Sequence, residues 1–274
     1  MSTFTFMPYF GGKYYMLKKL YPLFPKHYMY IEPFCGSCVV LLNKEPSNVE
    51  VVNDKFEELY NLFTVVKNKP DEFYDAFKYT FSSRAYFKSI LNTDITKLDD
   101  VQRAHYFYYR MYHTHNTLWH NTSFRIGNIR KYGINYNKLK GIIDRTYERL
   151  KNVKIECLDY LDVLHTYDHA KNFFFIDPPY YETASKDGRK KEYEHSLSQE
   201  DFLTFAENLG KLQGKFLMTI NDCDFIRNTF KEFNQIEVNH VYGCAKSVHG
   251  QVKVSELFIS NYDLTLKRFP LKRR

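Results

Sequence analysis

The chain of 274 residues has few cysteines, a single tryptophan and no apolar run long enough to cross a membrane, which takes roughly 20 predominantly apolar residues. Its first residues lack the basic start and apolar centre of a secretory signal peptide. The five cysteines are an odd number, and without a secretion signal they indicate free thiols in a reducing compartment. We therefore expect a cytoplasmic location and no membrane partner.

Metal ligands at a recognisable spacing are also missing. Four histidines fall between residues 105 and 120, but no cysteine or acidic residue accompanies them at zinc spacing. Cys35 and Cys38 form a C-x-x-C pair, but the chain has no second pair to complete a metal site. We expect no metal.

Positive charge is present but unevenly distributed. The chain has 39 basic and 32 acidic residues, for a net charge of +7. Residues 101–154 contain eleven of the basic residues and only two acids, which gives +9 for this segment and −2 for the remainder. Such a concentration is typical of a region that binds a polyanion.

Short apolar runs alternate with helical patterns along most of the chain. Strands are predicted at residues 28–31, 49–52, 153–158, 173–176, 216–220, 236–242 and 257–259. Residues 197–212 predict a helix with Ser198 as its N-cap. The alternation predicts an α/β fold with a largely parallel sheet, in which ligands bind at the carboxyl ends of the strands. Residues 54–151 break it and predict a mainly helical insertion.

The most specific motif is Asp177-Pro178-Pro179-Tyr180, which directly follows the run FFFI at residues 173–176. Two prolines end a strand and fix the backbone. The Asp177 carboxylate and the Pro178 carbonyl are then two acceptors for the two hydrogens of one exocyclic amine. Tyr180 can stack on the base, a contact worth roughly 1–3 kcal/mol. The motif favours methylation of an amine on a nucleobase.

Two glycine segments precede this motif. Glu32-Pro33-Phe34-Cys35-Gly36-Ser37-Cys38 follows the first strand, and Gly36 permits a tight turn with close approach of a ligand. Asp54 lies 18 residues after Gly36, where an acidic residue commonly binds ribose hydroxyls. Upstream, Tyr9-Phe10-Gly11-Gly12-Lys13 offers two more glycines and a cation for the carboxylate of a methionine group. Together they indicate a ligand that contains adenosine.

In their order and spacing these motifs resemble the Dam/D12 class of site-specific DNA adenine-N6 methyltransferases. The resemblance covers residues 8–66 and 150–262, and residues 254–261 resemble the family's final strand. It implies a Rossmann-like methyltransferase sheet with S-adenosyl-L-methionine as cofactor. The residues implied for cofactor binding are Tyr9, Lys13, Glu32, Phe34, Gly36, Asp54, Asp159, Tyr160 and Asp177. The residues implied for catalysis are Asp177, Pro178, Pro179 and Tyr180.

The reaction implied by the resemblance is direct methyl transfer to N6 of adenine. The adenine has to be flipped out of double-stranded DNA, because N6 cannot be reached inside the duplex. No Pro-Cys dipeptide occurs, so the covalent route of cytosine C5 methylation has no evident nucleophile. RNA adenine, cytosine N4 and a protein amide stay open as acceptors, and so does a non-catalytic DNA-binding protein on the same fold.

The insertion carries the expected DNA contacts. We divide the chain into a catalytic domain, residues 1–55 and 152–274, and an inserted target-recognition domain, residues 56–151. Residues 106–124 contain seven aromatic residues interleaved with basic ones, a composition suited to phosphates and bases. The residues expected to contact DNA are Arg110, Trp119, Arg125, Arg130 and Lys131. We expect a monomer of bacterial or phage origin that acts at the nucleoid, and a cognate restriction enzyme stays open.

Two features depart from the family's pattern. Cys38 stands where the family usually has Gly or Ala, and we expect slightly altered packing there without loss of cofactor binding. Residues 103–140 do not carry the motif associated with recognition of GATC. The target sequence therefore stays open.

Overall fold

The computed structural model describes residues 3–114, 123–125, 133–181, 197–241 and 253–264. The strands are β1 (Met29–Glu32), β2 (Val49–Asn53), β3 (Lys154–Glu156), β4 (Asn172–Ile176), β5 (Lys215–Asn221), β6 (Asn234–Val241) and β7 (Lys253–Ser260). They form one sheet in the order β3-β2-β1-β4-β5-β7-β6. The first five strands run parallel, and β7 runs antiparallel between β5 and β6. The predicted α/β fold with a largely parallel sheet is confirmed.

Helices join most of the parallel strands. The helices of the described part are α1 (Leu17–Leu20), α2 (Val39–Asn43), α3 (Glu57–Asn68), α4 (Pro70–Asp75), α5 (Arg84–Leu91), α6 (Asp100–His113), α7 (Tyr136–Leu150), α8 (Tyr160–Tyr167), α9 (Gln199–Lys211) and α10 (Asp224–Thr229). None of them is long and apolar enough to span a membrane.

Both faces of the sheet are covered, and alternate residues of each strand pack on opposite sides. In β1, Tyr30 belongs to one buried cluster and Ile31 to the other. In β4, Phe175 and Phe174 divide in the same way. A strand buried on both faces is apolar throughout, which explains the uninterrupted run FFFI.

The helices between β2 and β3 share a core with the N-terminal segment. The Phe6 ring lies 5.1 Å from the ring of Tyr108 in α6 and 6.0 Å from that of Phe63 in α3. The Tyr108 hydroxyl donates to the Phe6 carbonyl at 3.0 Å. At the end of α7, the Arg149 guanidinium binds both carboxylate oxygens of Glu50 in β2. These contacts join the helical segment to one face of the sheet.

Some element boundaries agree with the sequence predictions and others differ. The helix predicted at residues 197–212 is α9, and a reciprocal capping box between Ser198 and Asp201 confirms its N-cap. The strand predicted at residues 153–158 is wrong at both ends, because β3 has only three residues. Its chain turns away at Leu158, whose N–H donates to the side chain of Asn53 at 2.7 Å. The last strand is longer than predicted, because β7 pairs along its whole length with β6.

Candidate active site

A cavity of about 400 Å³ lies at the carboxyl ends of β1, β2 and β4. It is lined by residues from the turns after these strands and after β3, together with residues 9–13. All nine residues predicted to bind the cofactor line it, as do Asp177, Pro178 and Pro179 of the predicted catalytic motif. Tyr180 is not a lining residue, but its ring centroid lies 5.0 Å from the Lys13 ammonium.

The turn after β1 depends on glycine at position 36. Gly36 has φ of +47°, and a Cβ there would lie 3.1 Å from the ring of Tyr9. The Gly36 N–H donates to Oδ2 of Asp54 at 3.0 Å, and the Phe56 N–H donates to Oδ1 at 3.0 Å. Asp54 therefore holds the glycine turn in place from the end of the neighbouring strand.

Cys38 adopts a backbone conformation that favours glycine. Its φ is +55°, in the left-handed region that L side chains rarely adopt, and its side chain is fully buried. A glycine would adopt this conformation without a steric penalty, whereas the Cβ of Cys38 makes it unfavourable. Burial raises the pKa of Cys38 and of Cys35, so both thiols are protonated near neutral pH.

Asn53 is a structural residue of the site that the sequence analysis missed. Its amide nitrogen donates to the carbonyls of Pro33 and Leu158 at 2.9 and 3.1 Å. It thereby connects the turns after β1 and β3 on either side of β2. The only signal in the sequence is an Asn directly before Asp54, which does not reveal partners 20 and 105 residues away.

One wall of the cavity is aromatic. The rings of Phe34 and Tyr160 lie 5.4 Å apart, and Phe205 of α9 packs behind them, 4.8 Å from Tyr160. Beside this wall, the side chain of Asp159 caps α8 by accepting from the Leu161 N–H at 3.1 Å. Lys55 makes an ion pair with Asp159 at 2.8 Å. The wall offers an apolar aromatic surface with the Asp159 carboxylate beside it.

Lys13 and Asp177, which also line the cavity, form an ion pair. The Lys13 ammonium lies 2.7 Å from Oδ1 of Asp177 and also donates to the Gly11 carbonyl at 3.1 Å. The Lys13 side chain is 2% exposed and that of Asp177 is 18% exposed. Burial raises the pKa of Asp177, and the Lys13 cation opposes the rise. The structure thus pairs Lys13 with the predicted catalytic carboxylate.

Tyr180 is held from the other side by β7. Its hydroxyl donates to Oε1 of Glu256 at 2.5 Å, and Glu256 is fully buried. Glu256 was not singled out in the sequence, although it lies within the predicted final-strand motif. The contact connects the Asp-Pro-Pro-Tyr turn after β4 to β7, two strands away in the sheet.

Glu32 lines the cavity as a largely neutral acid. Burial raises the pKa of Glu32 to about 8, and its nearest partner is the Tyr30 hydroxyl. At neutral pH the protonated form therefore predominates. Asp159 differs from Glu32, because its bonds from Lys55 and from the Leu161 N–H outweigh burial and lower its pKa.

The predicted DNA-binding residues are only partly described. Arg110 lies in α6, and Arg125 follows the isolated bridge between Thr114 and Phe124; both arginines are partly buried. Trp119, Arg130 and Lys131 lie outside the described residues. Three aromatic residues of α6 are fully buried: Phe107, Tyr108 and Tyr109. The aromatic richness of residues 106–124 is therefore partly core packing.

Within the described ranges, no group of three or more His, Cys, Asp or Glu residues could hold a metal ion. The fold and the cavity define a Rossmann-like methyltransferase with an Asp-Pro-Pro-Tyr turn at the end of β4.

The chain belongs to the D12 class N6 adenine-specific DNA methyltransferase family, whose model matches residues 9–244. It is 24% identical to the type II methyltransferase M1.LlaDCHI of Lactococcus lactis subsp. cremoris, over 94% of this chain and 95% of that protein. It is 24% identical to the type II methyltransferase M.CviBI of Paramecium bursaria Chlorella virus NC1A, over 92% and 97%. The DNA adenine methylase of Salmonella typhi is 25% identical, over 92% and 93%. The family and the adenine methyltransferase function predicted from the motifs are confirmed.

Proposed function

We propose that this protein transfers a methyl group from S-adenosyl-L-methionine to N6 of an adenine flipped out of double-stranded DNA. The observation that carries the proposal is the position of Asp177. It lies at the end of β4 in the same cavity as the glycine turn and Asp54. Groups suited to a donor that contains adenosine and to an amine acceptor thus line one cavity.

The cavity fits the proposed methyl donor. Its volume of about 400 Å³ is within the usual range for small-molecule sites. The Asp54 carboxylate lies against the glycine turn, where it accepts the Gly36 N–H, and an acidic residue at this place commonly binds ribose hydroxyls. Phe34 and Tyr160 offer an apolar wall for the adenine ring. When bound, S-adenosylmethionine supplies an electrophilic methyl group.

The catalytic turn would hold the target base. Asp177 and the carbonyl of Pro178 each accept one hydrogen of the N6 amine, which frees the nitrogen lone pair for attack. Tyr180 stacks on the base, with its hydroxyl held by Glu256. Catalysis is then positioning and hydrogen bonding, without a covalent enzyme intermediate.

DNA would be bound by the helical segment between β2 and β3. In this proposal residues 56–151 are the target-recognition domain, and Arg110, Trp119, Arg125, Arg130 and Lys131 contact the duplex. The excess of positive charge in residues 101–154 supports the assignment. We propose that the enzyme acts as a monomer on DNA in the cytoplasm of a bacterial or phage-infected cell.

The test is transfer of labelled methyl from S-adenosylmethionine to double-stranded DNA, with nucleoside analysis of the product. We expect N6-methyladenine. Cofactor binding without methylation of varied unmodified DNA would contradict the proposal. Transfer to RNA or a protein amide in the same assay would identify the acceptor instead.

A further inference from the structure

Thr219 of β5 lies beside the predicted catalytic carboxylate. β4 and β5 pair in parallel with Ile176 opposite Met218. The next residues in each chain, Asp177 and Thr219, are therefore neighbours on the same face. The Thr219 hydroxyl donates to Oδ1 of Asp177 at 2.9 Å, and Thr219 is fully buried.

Two donors converge on the same oxygen of Asp177. Oδ1 accepts from the Thr219 hydroxyl and lies 2.7 Å from the Lys13 ammonium. Within the described part of the chain, no bond is made to Oδ2. Asp177 lines the cavity and its side chain is 18% exposed, which leaves Oδ2 as the oxygen available to a ligand.

We propose that Thr219 is a positioning residue that fixes the orientation of the Asp177 carboxylate, so that Oδ2 accepts from the amine of the substrate. Rotation of a carboxylate about its last torsion is broadly permitted, so one donor does not define it. Lys13 has a flexible four-carbon stem that can follow such a rotation. Thr219 lies in a strand that is paired on both sides, so the backbone fixes the position of its hydroxyl.

The same hydrogen bond acts on the charge of Asp177. Burial is the largest cause that raises the pKa of Asp177, and Glu256 on β7 raises it further. Lys13 from the N-terminal segment and the Thr219 hydroxyl oppose the rise. Asp177 is a stronger acceptor for the amine when it is ionised, because protonation weakens its oxygens as acceptors and turns one of them into a donor. Loss of the Thr219 hydroxyl should therefore move the acid side of the activity profile to higher pH.

The experiment compares Thr219→Ala with Thr219→Ser, two variants of similar size that differ in the hydroxyl. Thr219→Val adds an isosteric replacement of the original side chain. The kcat, the KM for S-adenosylmethionine and the pH profile of kcat are measured with double-stranded DNA. Ile220→Val, a small change at the next residue of the strand, controls for altered packing.

We expect Thr219→Ala and Thr219→Val to lose about tenfold in kcat, the effect of one hydrogen bond to a charged group. The acid side of their pH profile of kcat should move to higher pH by about one unit, while the KM for the cofactor stays near the wild-type value. Thr219→Ser and Ile220→Val should stay within about twofold of wild type. If Thr219→Val does not fold, the comparison of Thr219→Ser with Thr219→Ala tests the role of the hydroxyl.

Equal losses in the Ala and Ser variants, or an unshifted pH profile in the Ala variant, would overturn the role of Thr219. The inference rests on the proposed methyl transfer, and the two can fail separately. A wild-type protein that methylates no DNA overturns the function, whereas an active wild type with an unaffected Ala variant overturns only the role of Thr219.

Discussion

Asp177 and Glu32 are two buried carboxyl groups of one cavity with different partners. Burial raises the pKa of both. Asp177 has the Lys13 cation at 2.7 Å, which favours its ionised form. Glu32 has the Tyr30 hydroxyl as its nearest partner and is largely protonated at neutral pH. At the scale of single residues, the partner decides which carboxyl can serve as a charged acceptor.

Asp177→Asn should reduce methyl transfer by about 10³-fold or more, because one acceptor oxygen is replaced by a donor amide. It should also destabilise the protein, since it leaves the buried Lys13 ammonium without its carboxylate. The double variant Lys13→Met/Asp177→Asn should recover part of that stability but none of the activity. Chemical denaturation and methyl transfer measure the two effects. Substantial activity in Asp177→Asn would contradict the catalytic role.

Glu32→Gln should change how stability depends on pH. The native pKa of Glu32 is about 8 and its ordinary value is 4.5, so the native state binds the extra proton between these values. Its contribution to stability is therefore greatest below pH 4.5 and is lost as pH rises towards 8. The variant should show a shallower decline in the free energy of unfolding over this window, measured by urea titration at several pH values. Parallel profiles for variant and wild type would contradict the raised pKa.

At the scale of elements, glycines have opposite consequences in turns and in helices. Gly36 lies in the turn after β1 with positive φ and the Tyr9 ring close by. Gly141 lies inside α7, where a Cβ would meet nothing within 4 Å. The same substitution therefore tests strain at one position and chain entropy at the other.

Gly36→Ala should lower stability by about 1–2 kcal/mol and weaken binding of S-adenosylmethionine, because the turn and the Tyr9 ring must shift. Gly141→Ala is the matched control and should stabilise the protein by about 0.5–1 kcal/mol without affecting the cofactor. Thermal unfolding and a cofactor titration distinguish them. Equal behaviour of the two variants would show that the turn is not strained.

The ion pair between α7 and β2 should contribute far more to the free energy of unfolding than an exposed ion pair at the same end of α7. Arg149 is 14% exposed and binds Glu50, which also pairs with Lys44. Arg149→Met should cost about 3 kcal/mol, because it removes a partner from a buried carboxylate. Lys151→Met breaks an exposed pair with Glu148 and should cost less than about 1 kcal/mol. The free energies of unfolding of the two variants give the comparison directly.

Acid should remove the contribution of Glu50. Burial alone would raise the pKa of Glu50, but the bonds from Arg149 and Lys44 lower it below its ordinary value. The stabilisation is thus present above the ordinary value of 4.5 and is lost as pH falls through the lower native value. The stability difference between wild type and Arg149→Met should shrink below pH 4, as followed by unfolding at each pH. A constant difference down to pH 2 would contradict the ionic nature of the contact.

At the scale of the whole molecule, charge is divided between a basic segment and a slightly acidic remainder. Residues 101–154 carry a net charge of +9, and the rest of the chain carries −2, which together give the total of +7. Electrostatic binding to DNA releases counterions, so affinity falls as salt rises, and each phosphate contact contributes about 0.9 to the logarithmic slope.

Arg125→Ala should weaken duplex binding and reduce the salt slope by about one. Lys171→Ala is the control, because Lys171 is exposed before the first residue of β4, at the end of the sheet opposite the cavity. Fluorescence anisotropy across a salt series measures both slopes. Identical slopes for the two variants would remove Arg125 from the proposed DNA surface.

The sequence by itself determined the features that depend on neighbours along the chain. The positions of the strands, the Ser198 cap and the Asp-Pro-Pro-Tyr turn follow from apolar period, capping chemistry and proline stereochemistry. The family followed as well, because its motifs are short and ordered. The strand predicted at residues 153–158 was too long, since β3 ends before Leu158, whose N–H donates to Asn53 of β2.

Only the tertiary structure decided which distant residues meet. Thr219 became a partner of Asp177 because β5 lies beside β4, and Arg149 became a partner of Glu50 because the end of α7 lies close to the start of β2. The burial of Tyr108 and Tyr109, in a segment rich in basic residues, was decided in the same way. A local pattern specifies the conformation of its own segment, but the partner of a side chain depends on strand order and packing across the whole chain.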